Sequence, residues 1–294
     1  SVSMNQILQG IIPALLTPFG KDGKVNTDAL AQLIDWNIEK GVNGFYVGGS
    51  TAEAFLLTEE ERNFVYEVAA KATSGRLPLI AHVGSISTDQ AIRFAKVAEK
   101  WGYTAISAIA PFYYKFTFDQ IRKYYFDIVS AVNLPMIIYN FPNFSGVNLS
   151  VEQVAEFFAD NRFIGIKHTS NDFFSLEQFK TRFPDRLVFN GFDEMLLSGL
   201  VMGADGGIGS TYNFMAEKYV QLYRLRQEGR IDEAYAIQQE CNRIIKALCR
   251  VGVMEGEKEV LCQLGFDFGC ARPPFSELSD SQKDFLRREV TERL

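Results

Sequence analysis

A charged residue lies directly after an apolar run in the segment FIGIKHTSND, residues 163–172. The run is typical of a buried strand, so Lys167 carries its amine into apolar surroundings, where an unpaired cation is costly. One interpretation makes Lys167 the partner of a buried carboxylate. The other makes it an amine whose pKa is lowered by desolvation, so that its neutral form attacks a carbonyl carbon. The position of Lys167 alone does not decide between them.

A tyrosine at the end of the preceding strand-like run favours the nucleophile. Tyr139, in IIYNFP, precedes Lys167 by 28 residues, which fits one strand-helix repeat. That spacing can place the phenol and the amine at similar heights on adjacent strands, whose axes lie about 5 Å apart. A phenol there can shuttle protons while the amine condenses with a ketone and a neighbouring bond breaks. Alone, Tyr139 would be interpreted as a core aromatic.

Two further strand ends carry groups that could hold a substrate. The turn GGSTAE, residues 48–53, combines glycines with Ser50 and Thr51. Converging N–H groups and hydroxyls suit an anion such as a carboxylate. Asp193 and Glu194 follow a later run, where they would repel phosphate but accept hydrogen bonds from a polyhydroxylated ligand. The simpler interpretations are helix capping by the hydroxyls and N-terminal helix charge for the acids.

Eight continuous apolar runs, each followed by a helix-like segment, must position these groups. Continuous runs are typical of parallel strands covered on both faces, and eight of them predict an α/β fold, a (β/α)8 TIM barrel whose active-site face lies at the strand C-termini. A doubly wound open sheet is the alternative, but no Gly-x-Gly-x-x-Gly pattern follows the first run. The runs begin at Ile11, Gly44, Leu77, Ala105, Leu134, Phe163, Leu187 and Asp205.

Capping patterns delimit the helices between these runs. The expected N-terminal capping residues are Thr27, Thr58 with Glu61 as a capping box, Ser87 or Thr88, and Ser150; the expected C-terminal ends are Gly41 and Gly75. After about residue 228 the strand pattern stops, and DEAYAIQQECNRIIKALCRVG and SDSQKDFLRREVTERL predict helices. We therefore expect a catalytic barrel over residues 1–228 and a C-terminal helical extension, residues 229–294, packed on it.

Composition narrows the class of protein. The chain has 294 residues, 47% of them hydrophobic, and a net charge of -6, which favours neither nucleic-acid nor membrane binding. The start SVSMNQILQG lacks a signal-peptide pattern, so the expected location is cytoplasmic. The presence of only two histidines argues against a His-based metal site. The four cysteines lack metal-site or redox spacing and are expected to be buried free thiols.

The sequence closely resembles the N-acetylneuraminate lyases, within the dihydrodipicolinate synthase superfamily of class I aldolases. The resemblance covers essentially the whole chain, and its most specific stretches are PFYYKF, YNFPNFSGV, GIKHTS, NGFDE and GADGGIGSTYN. It implies reversible cleavage of N-acetylneuraminate to N-acetylmannosamine and pyruvate, in sialic acid catabolism. It also implies a homotetramer and, because the imine itself stores the electrons, no metal or organic cofactor.

The resemblance also implies a role for each matching residue. Lys167 corresponds to the Schiff-base lysine and Tyr139 to the phenol that relays protons at the C4 hydroxyl. The corresponding substrate-binding positions are Ser50 and Thr51 for the pyruvate carboxylate, Thr169 beside the reacting centre, Gly191, Asp193, Glu194 and Ser210 for the hydroxylated tail, and Tyr113 reaching into a neighbouring subunit's site. Ala52 departs from the family turn Gly-Ser-Thr-Gly-Glu, and would be strained if that residue needed a positive φ.

Three alternatives remain at the level of sequence. A dihydrodipicolinate synthase typically has an arginine shortly after the Tyr-Asn strand end, whereas Asn143, Phe144 and Ser145 stand here. Asp193 and Glu194 would also disfavour that enzyme's anionic second substrate. Another pyruvate-dependent sugar-acid aldolase would share the lysine and tyrosine. A ligand-binding barrel without activity is the non-enzyme alternative, since fold alone does not prove catalysis.

Overall fold

The computed structural model describes residues 7–294. Residues 1–6, which belong to the stretch without a signal-peptide pattern and to the predicted barrel range 1–228, lie outside the described residues. The predicted runs form eight strands: β1 (Gly10–Pro13), β2 (Phe45–Val47), β3 (Leu79–His82), β4 (Ala105–Ile109), β5 (Met136–Asn140), β6 (Phe163–His168), β7 (Leu187–Asn190) and β8 (Gly206–Gly209).

Helices follow the strands. Around the barrel they are α1 (Thr27–Glu39), α2 (Glu59–Thr73), α3 (Thr88–Lys100), α4 (Phe118–Ala131), α5 (Pro142–Ser145), α6 (Val151–Phe158), α7 (Phe173–Arg182), α8 (Leu196–Val201) and α9 (Tyr212–Gln227). Beyond them lie α10 (Ile231–Val251), α11 (Val253–Gln263) and α12 (Asp280–Glu289). Short 3₁₀ turns cover Ala54–Leu56, Asp193–Met195 and Thr291–Arg293.

The strands form one parallel sheet that closes on itself. Its hydrogen-bonded order is β1-β8-β7-β6-β5-β4-β3-β2. The sheet closes just past β1, where Ala14 bridges Tyr46 and the Leu15 N–H donates to the Tyr46 carbonyl at 2.9 Å. The predicted (β/α)8 barrel is therefore confirmed, and the open doubly wound sheet is wrong.

Two apolar layers stabilise the barrel. Inward-facing side chains fill its interior, among them Ile12, Ile80, Ile137 and Phe189. A larger layer packs the outer strand faces against the surrounding helices. Residues Ile244 and Leu248 of α10 and Leu261 of α11 belong to that layer, so the C-terminal helices share the core of the barrel. The division of the chain at residue 228 stays a prediction.

The helix starts follow the capping patterns closely. Thr58 and Glu61 form the expected capping box, and Ser150 forms another. Ser87, rather than Thr88, caps α3. The prediction for α1 is wrong by one residue, because the Asn26 side chain accepts from the Ala29 N–H and Thr27 is already helical.

Two features of the C-terminal region differ from the sequence predictions. Helix α11 was not predicted, because it is short and rich in charge. The cysteines are free, but only Cys241 is buried, while Cys249 and Cys270 are exposed. Within residues 7–294, no helix has both the length and the apolar composition needed to cross a membrane.

Candidate active site

A cavity of about 450 Å³ lies at the C-terminal ends of the barrel strands. Its wall includes the ends of β5 to β8, the turn after β2, and residues of α10 and α11. The predicted site residues that line it are Ser50, Thr51, Tyr139, Lys167, Thr169, Gly191, Asp193, Glu194 and Ser210. The fold thus brings together groups that are up to 160 residues apart in the sequence.

Lys167 and Tyr139 are direct neighbours across two strands. The register of β5 and β6 pairs them, and the Thr169 N–H extends the ladder by donating to the Asn140 carbonyl at 2.9 Å. The Lys167 Nζ lies 3.9 Å from the centroid of the Tyr139 ring and 4.6 Å from that of Tyr46. The amine therefore lies between two aromatic faces inside the barrel.

These surroundings change the acidity of the amine. Burial lowers the pKa of Lys167 to about 7, although the Asp193 carboxylate acts in the opposite direction. Within the described part of the chain Lys167 forms no ion pair, which argues against the interpretation of the lysine as a carboxylate's partner. Near neutral pH, a substantial fraction of the amine is therefore unprotonated and nucleophilic.

The Tyr139 phenol remains protonated under the same conditions. Burial raises its pKa, while the neighbouring hydroxyls of Thr169 and Ser50 lower it in part. These hydroxyls lie close to the phenol without hydrogen bonds of ordinary geometry, and Ser50 Oγ and Thr169 Oγ1 are both buried without a partner. Three hydroxyl groups beside the amine are thus available to a ligand.

The turn after β2 places Ser50 and Thr51 at the cavity. Gly48 has φ +78°, and a Cβ there would lie 2.7 Å from the Tyr66 ring, so only glycine fits. The condition for strain at Ala52 is not met, because the positive φ falls one residue later, at Glu53 (φ 60°). Ala52 is instead fixed by its carbonyl, which accepts from Thr17 Oγ1 at 2.9 Å.

Glu53 ties this turn to the C-terminal helices. Its Oε2 accepts from Lys258 Nζ of α11 at 2.8 Å, and its Oε1 accepts from the Arg272 N–H at 2.7 Å. Both charged side chains of the Glu53–Lys258 pair are almost completely buried, at 0% and 1% exposure. The pair therefore fixes the backbone that carries Ser50 and Thr51.

Asp193 forms the acidic side of the cavity. Its Oδ2 accepts from the Thr211 N–H at 2.8 Å and from Thr211 Oγ1 at 2.5 Å, whereas Oδ1 has no partner. Burial raises the pKa of Asp193 to about 7 despite these hydrogen bonds. A Cβ at Gly209 would lie 1.6 Å from Oδ1, and one at Gly191 would lie 1.8 Å from Thr169 Oγ1. Glycine at positions 191 and 209 therefore leaves the space that Thr169 Oγ1 and Asp193 Oδ1 occupy.

Glu257 is the group that sequence reasoning missed. It lies on α11, lines the cavity, and is 1% exposed. Ser210 Oγ donates to its Oε1 at 2.8 Å, and its Oε2 has no partner. The only signal for Glu257 in the sequence is that an acid occupies a core-facing position of α11. That signal can be used only after the helix itself has been recognised.

Tyr113 is the predicted site residue that does not line this cavity. It lies in the loop after β4, 84% exposed, with φ +76° and its ring against that of Tyr114 at 5.1 Å between centroids. A role for Tyr113 in a neighbouring subunit's site stays a prediction. Among residues 7–294, no cluster of three or more His, Cys, Asp or Glu side chains is arranged to hold a metal ion.

A family model for the dihydrodipicolinate synthetase family matches residues 7–293. The chain belongs to this family. Among its solved structures, N-acetylneuraminate lyase from Fusobacterium nucleatum is 41% identical, with a TM-score of 0.94, over 98% of this chain and 99% of that one. CdNal from Clostridium difficile, in complex with mannosamine, is 38% identical over 100% of both chains, with a TM-score of 0.95.

A third structure from the family extends the similarity. A catalytic lysine mutant of Ruminococcus gnavus sialic acid aldolase is 31% identical, with a TM-score of 0.96, over 100% of this chain and 97% of that one. These proteins match the present chain from end to end, so the likeness includes the C-terminal helices as well as the barrel. The resemblance stated from sequence motifs is therefore confirmed.

Proposed function

We propose that the protein is a class I aldolase that reversibly cleaves N-acetylneuraminate to N-acetylmannosamine and pyruvate. The observation that carries the proposal is the unpaired amine of Lys167, buried among aromatic rings next to Tyr139 with its pKa lowered to about 7. Such an amine has little structural use, because a buried cation without a partner is destabilising. The similarity to N-acetylneuraminate lyase from Fusobacterium nucleatum and to sialic acid aldolase from Ruminococcus gnavus supports the choice of substrate.

The first step is formation of an imine. Neutral Lys167 Nζ attacks C2 of the open-chain sugar acid, and loss of water gives an iminium that withdraws electrons from C3. In our proposal, Ser50 and Thr51 bind the neighbouring carboxylate through hydroxyl and backbone N–H groups. Ser50 Oγ and Thr169 Oγ1 have no partner in the protein, which leaves both free to hydrogen-bond to the reacting end of the substrate.

The second step breaks the C3–C4 bond. Tyr139 accepts the proton of the C4 hydroxyl as the electrons of the C3–C4 bond move into the iminium, forming an enamine on Lys167 and an aldehyde at C4. Because burial keeps its pKa high, Tyr139 acts as a relay that passes its own proton to the substrate carboxylate while it accepts the C4 hydroxyl proton, and the relay later returns a proton to C3. The aldehyde product leaves, the enamine is protonated at C3, and hydrolysis releases pyruvate and the free amine.

The acidic side of the cavity suits a hydroxylated tail. Asp193, Glu194, Gly191 and Ser210 line the region beyond the amine, and we assign the distal hydroxyls of the sugar to them. Lys167 is the only Lys or Arg among the lining residues within the described chain. A dihydrodipicolinate synthase would bring a second anionic substrate against these acids without a cation to bind it, so the geometry disfavours that alternative.

We also propose a homotetramer, as the family resemblance implies. The exposed pair of Tyr113 and Tyr114 is the kind of surface aromatic group that a subunit interface covers. The cytoplasmic location expected from the sequence stays a prediction.

Reductive trapping tests the proposed function. The protein is incubated with N-acetylneuraminate, then with borohydride, and the modified peptide is identified by mass spectrometry. We expect a pyruvyl-sized adduct on Lys167, with none in Lys167→Met. An adduct from added pyruvate but not from N-acetylneuraminate would keep the class I chemistry and reject the sugar, leaving another pyruvate-dependent aldolase. No adduct from either compound would reject the class I mechanism and favour the alternative of a ligand-binding barrel without activity.

A further inference from the structure

A second buried carboxyl group lines the cavity from helix α11. Glu257 of α11 is 1% exposed, and only one of its two oxygens is used, as the acceptor of the Ser210 hydroxyl at 2.8 Å. The other, Oε2, is inaccessible to solvent and has no partner within the described chain. A buried polar atom left without a partner destabilises the folded protein, so an unpaired one at a ligand cavity points to a contact made by the ligand.

We propose that Glu257 is a specificity-determining residue that binds the distal hydroxyl groups of the sugar substrate as a neutral carboxylic acid. The inference rests on the proposed function, since it concerns the tail of the same substrate. The Ser210 hydroxyl donates to Oε1, so the acidic proton is placed on Oε2, where it can donate to a ligand oxygen. Ser210 is at the same time oriented, with its oxygen lone pairs free to accept from a hydroxyl.

The electrostatic setting favours the neutral acid. Burial raises the pKa of Glu257 well above its ordinary value, and the nearby Asp193 carboxyl raises it further, while Ser210 lowers it in part. No Lys or Arg side chain forms an ion pair with Glu257 among residues 7–294. Its neighbour in the sequence, Lys258, is paired with Glu53 instead.

The position of Glu257 relative to the amine assigns it to the tail rather than to the reacting carbons. Asp193 interacts electrostatically with both Lys167 and Glu257, whereas Glu257 is not among the groups that shift the pKa of Lys167. Ser210 and Glu257 line the same cavity as Asp193 and are hydrogen-bonded to each other, so we assign them to the part of the cavity beyond the imine. A short aldehyde would fill the cavity near Lys167 without reaching them, whereas a six-carbon amino sugar would reach both.

Two variants and two acceptors test this assignment in the condensation direction. Glu257→Leu removes both oxygens, whereas Glu257→Gln keeps one acceptor and one neutral donor in the same shape. Glu259→Leu is the matched control, because Glu259 lies on the same helix outside the cavity. Each is assayed for kcat/KM with pyruvate plus N-acetylmannosamine and with pyruvate plus glyceraldehyde, and borohydride trapping of pyruvate on Lys167 is measured in parallel.

We expect Glu257→Leu to lose about fivefold to tenfold in kcat/KM with N-acetylmannosamine, the loss of one or two hydrogen bonds. With glyceraldehyde, the kcat/KM of Glu257→Leu should stay within about twofold of that of the unchanged protein. The kcat/KM values of Glu257→Gln and Glu259→Leu should stay within about twofold with either acceptor. Equal losses of Glu257→Leu with both acceptors, or no loss with either, would overturn the assignment. A loss of kcat/KM in Glu257→Gln as large as that in Glu257→Leu would overturn the proposal that Glu257 binds as a neutral acid.

Failure of the proposed function is distinguishable, because the unchanged protein would then not condense pyruvate with N-acetylmannosamine. Failure of the assignment alone would leave that condensation and the pyruvate adduct on Lys167 intact in the unchanged protein. Glu257→Ala makes the same comparison should the leucine variant not fold.

Discussion

Two sides of the cavity are held in different ways. The strand-end wall, formed by Tyr139, Lys167 and Thr169, is fixed by the parallel hydrogen-bond ladder, in which Tyr139 and Lys167 are register partners. The helix wall, formed by the cavity-lining residues of α10 and α11, is fixed by packing and by the buried ion pair of Lys258. The backbone of a residue on the ladder cannot shift without moving its strand. On the helix wall, one residue can be substituted with little effect on the helix backbone.

This difference predicts a division of labour. Bond breaking requires groups placed to within a fraction of an ångström, which rigid strands supply. Selection among acceptor sugars and placement of the Ser50–Thr51 turn depend on the helix wall. Changes on the strand-end wall should therefore affect turnover, and changes on the helix wall should affect selectivity, pyruvate binding and stability.

The largest effect is expected from Tyr139→Phe. Removing the phenol removes the proton relay, which should lower kcat for cleavage by about 10²- to 10⁴-fold. Pyruvate should still be trapped on Lys167, because the amine is retained. Steady-state kinetics and the borohydride adduct measure the two effects separately.

Tyr46→Phe is the matched control for that change. Tyr46 also contacts the lysine, but its hydroxyl donates to Ser107 Oγ at 2.9 Å, inside the barrel. A loss in Tyr46→Phe as large as in Tyr139→Phe would mean that the aromatic surroundings of the amine, and not the Tyr139 hydroxyl, limit turnover.

Breaking the ion pair of the helix wall should come next. Lys258→Met leaves the Glu53 carboxylate buried and unpaired, which should lower the free energy of unfolding by about 3–5 kcal/mol. The same change loosens the Ser50–Thr51 turn and should raise the KM for pyruvate. Chemical denaturation and initial rates give both quantities.

The double variant Glu53→Gln, Lys258→Met should recover part of the stability, since no charge is then left unpaired. Lys283→Met is a control on a 40%-exposed lysine whose Nζ lies 4.0 Å from Glu259, where a loss of less than about 1 kcal/mol is expected. A double variant as unstable as Lys258→Met alone would contradict the role of the pair.

The smallest effect concerns the pH dependence of imine formation. The neutral amine reacts, so the rate of pyruvate trapping should rise with pH through about 7, the pKa of Lys167. Asp193 raises that pKa, so Asp193→Asn should lower it and shift the midpoint to lower pH, by less than about one unit. The shift is small because Asp193 itself, with a pKa of about 7, is only partly ionised there.

Glu194→Gln should leave the midpoint unchanged, since Glu194 is exposed and is not among the groups that shift the pKa of Lys167. A midpoint that moves upward in Asp193→Asn would contradict the electrostatic account of the amine.

The sequence predicts the strand-end wall well because its signals are local. Continuous apolar runs define the strands, and the separation of 28 residues between Tyr139 and Lys167 fits one strand-helix repeat, in which the two are register partners. The capping box of Thr58 and Glu61 is read from four consecutive residues in the same way. The one-residue error at Asn26 arises because Asn and Thr are both good caps, so adjacent candidates are not distinguished by type.

The helix wall could not be predicted, because its burial is decided by distant partners. From the sequence, Glu257 and Lys258 have the pattern of surface charges in a polar segment. Their burial is explained only by their distant partners, Ser210 for Glu257 and Glu53 for Lys258. The conformation of the turn was likewise not readable from the sequence, since the positive φ falls at Glu53 and not at Ala52. Tertiary contacts, rather than propensity, determine these positions.

The ion pair between Glu53 and Lys258 also bears on the order in which the protein is completed. The two residues are separated by 205 positions, so during synthesis Glu53 emerges long before its partner exists. Until α11 is made and docks, a carboxylate at the base of the Ser50–Thr51 turn must stay in water or bear the cost of unpaired burial. Contacts of such long sequence separation form late. The part of the site encoded first is therefore among the last to reach its final shape, and a nascent barrel cannot act on its substrate before its C-terminal helices arrive.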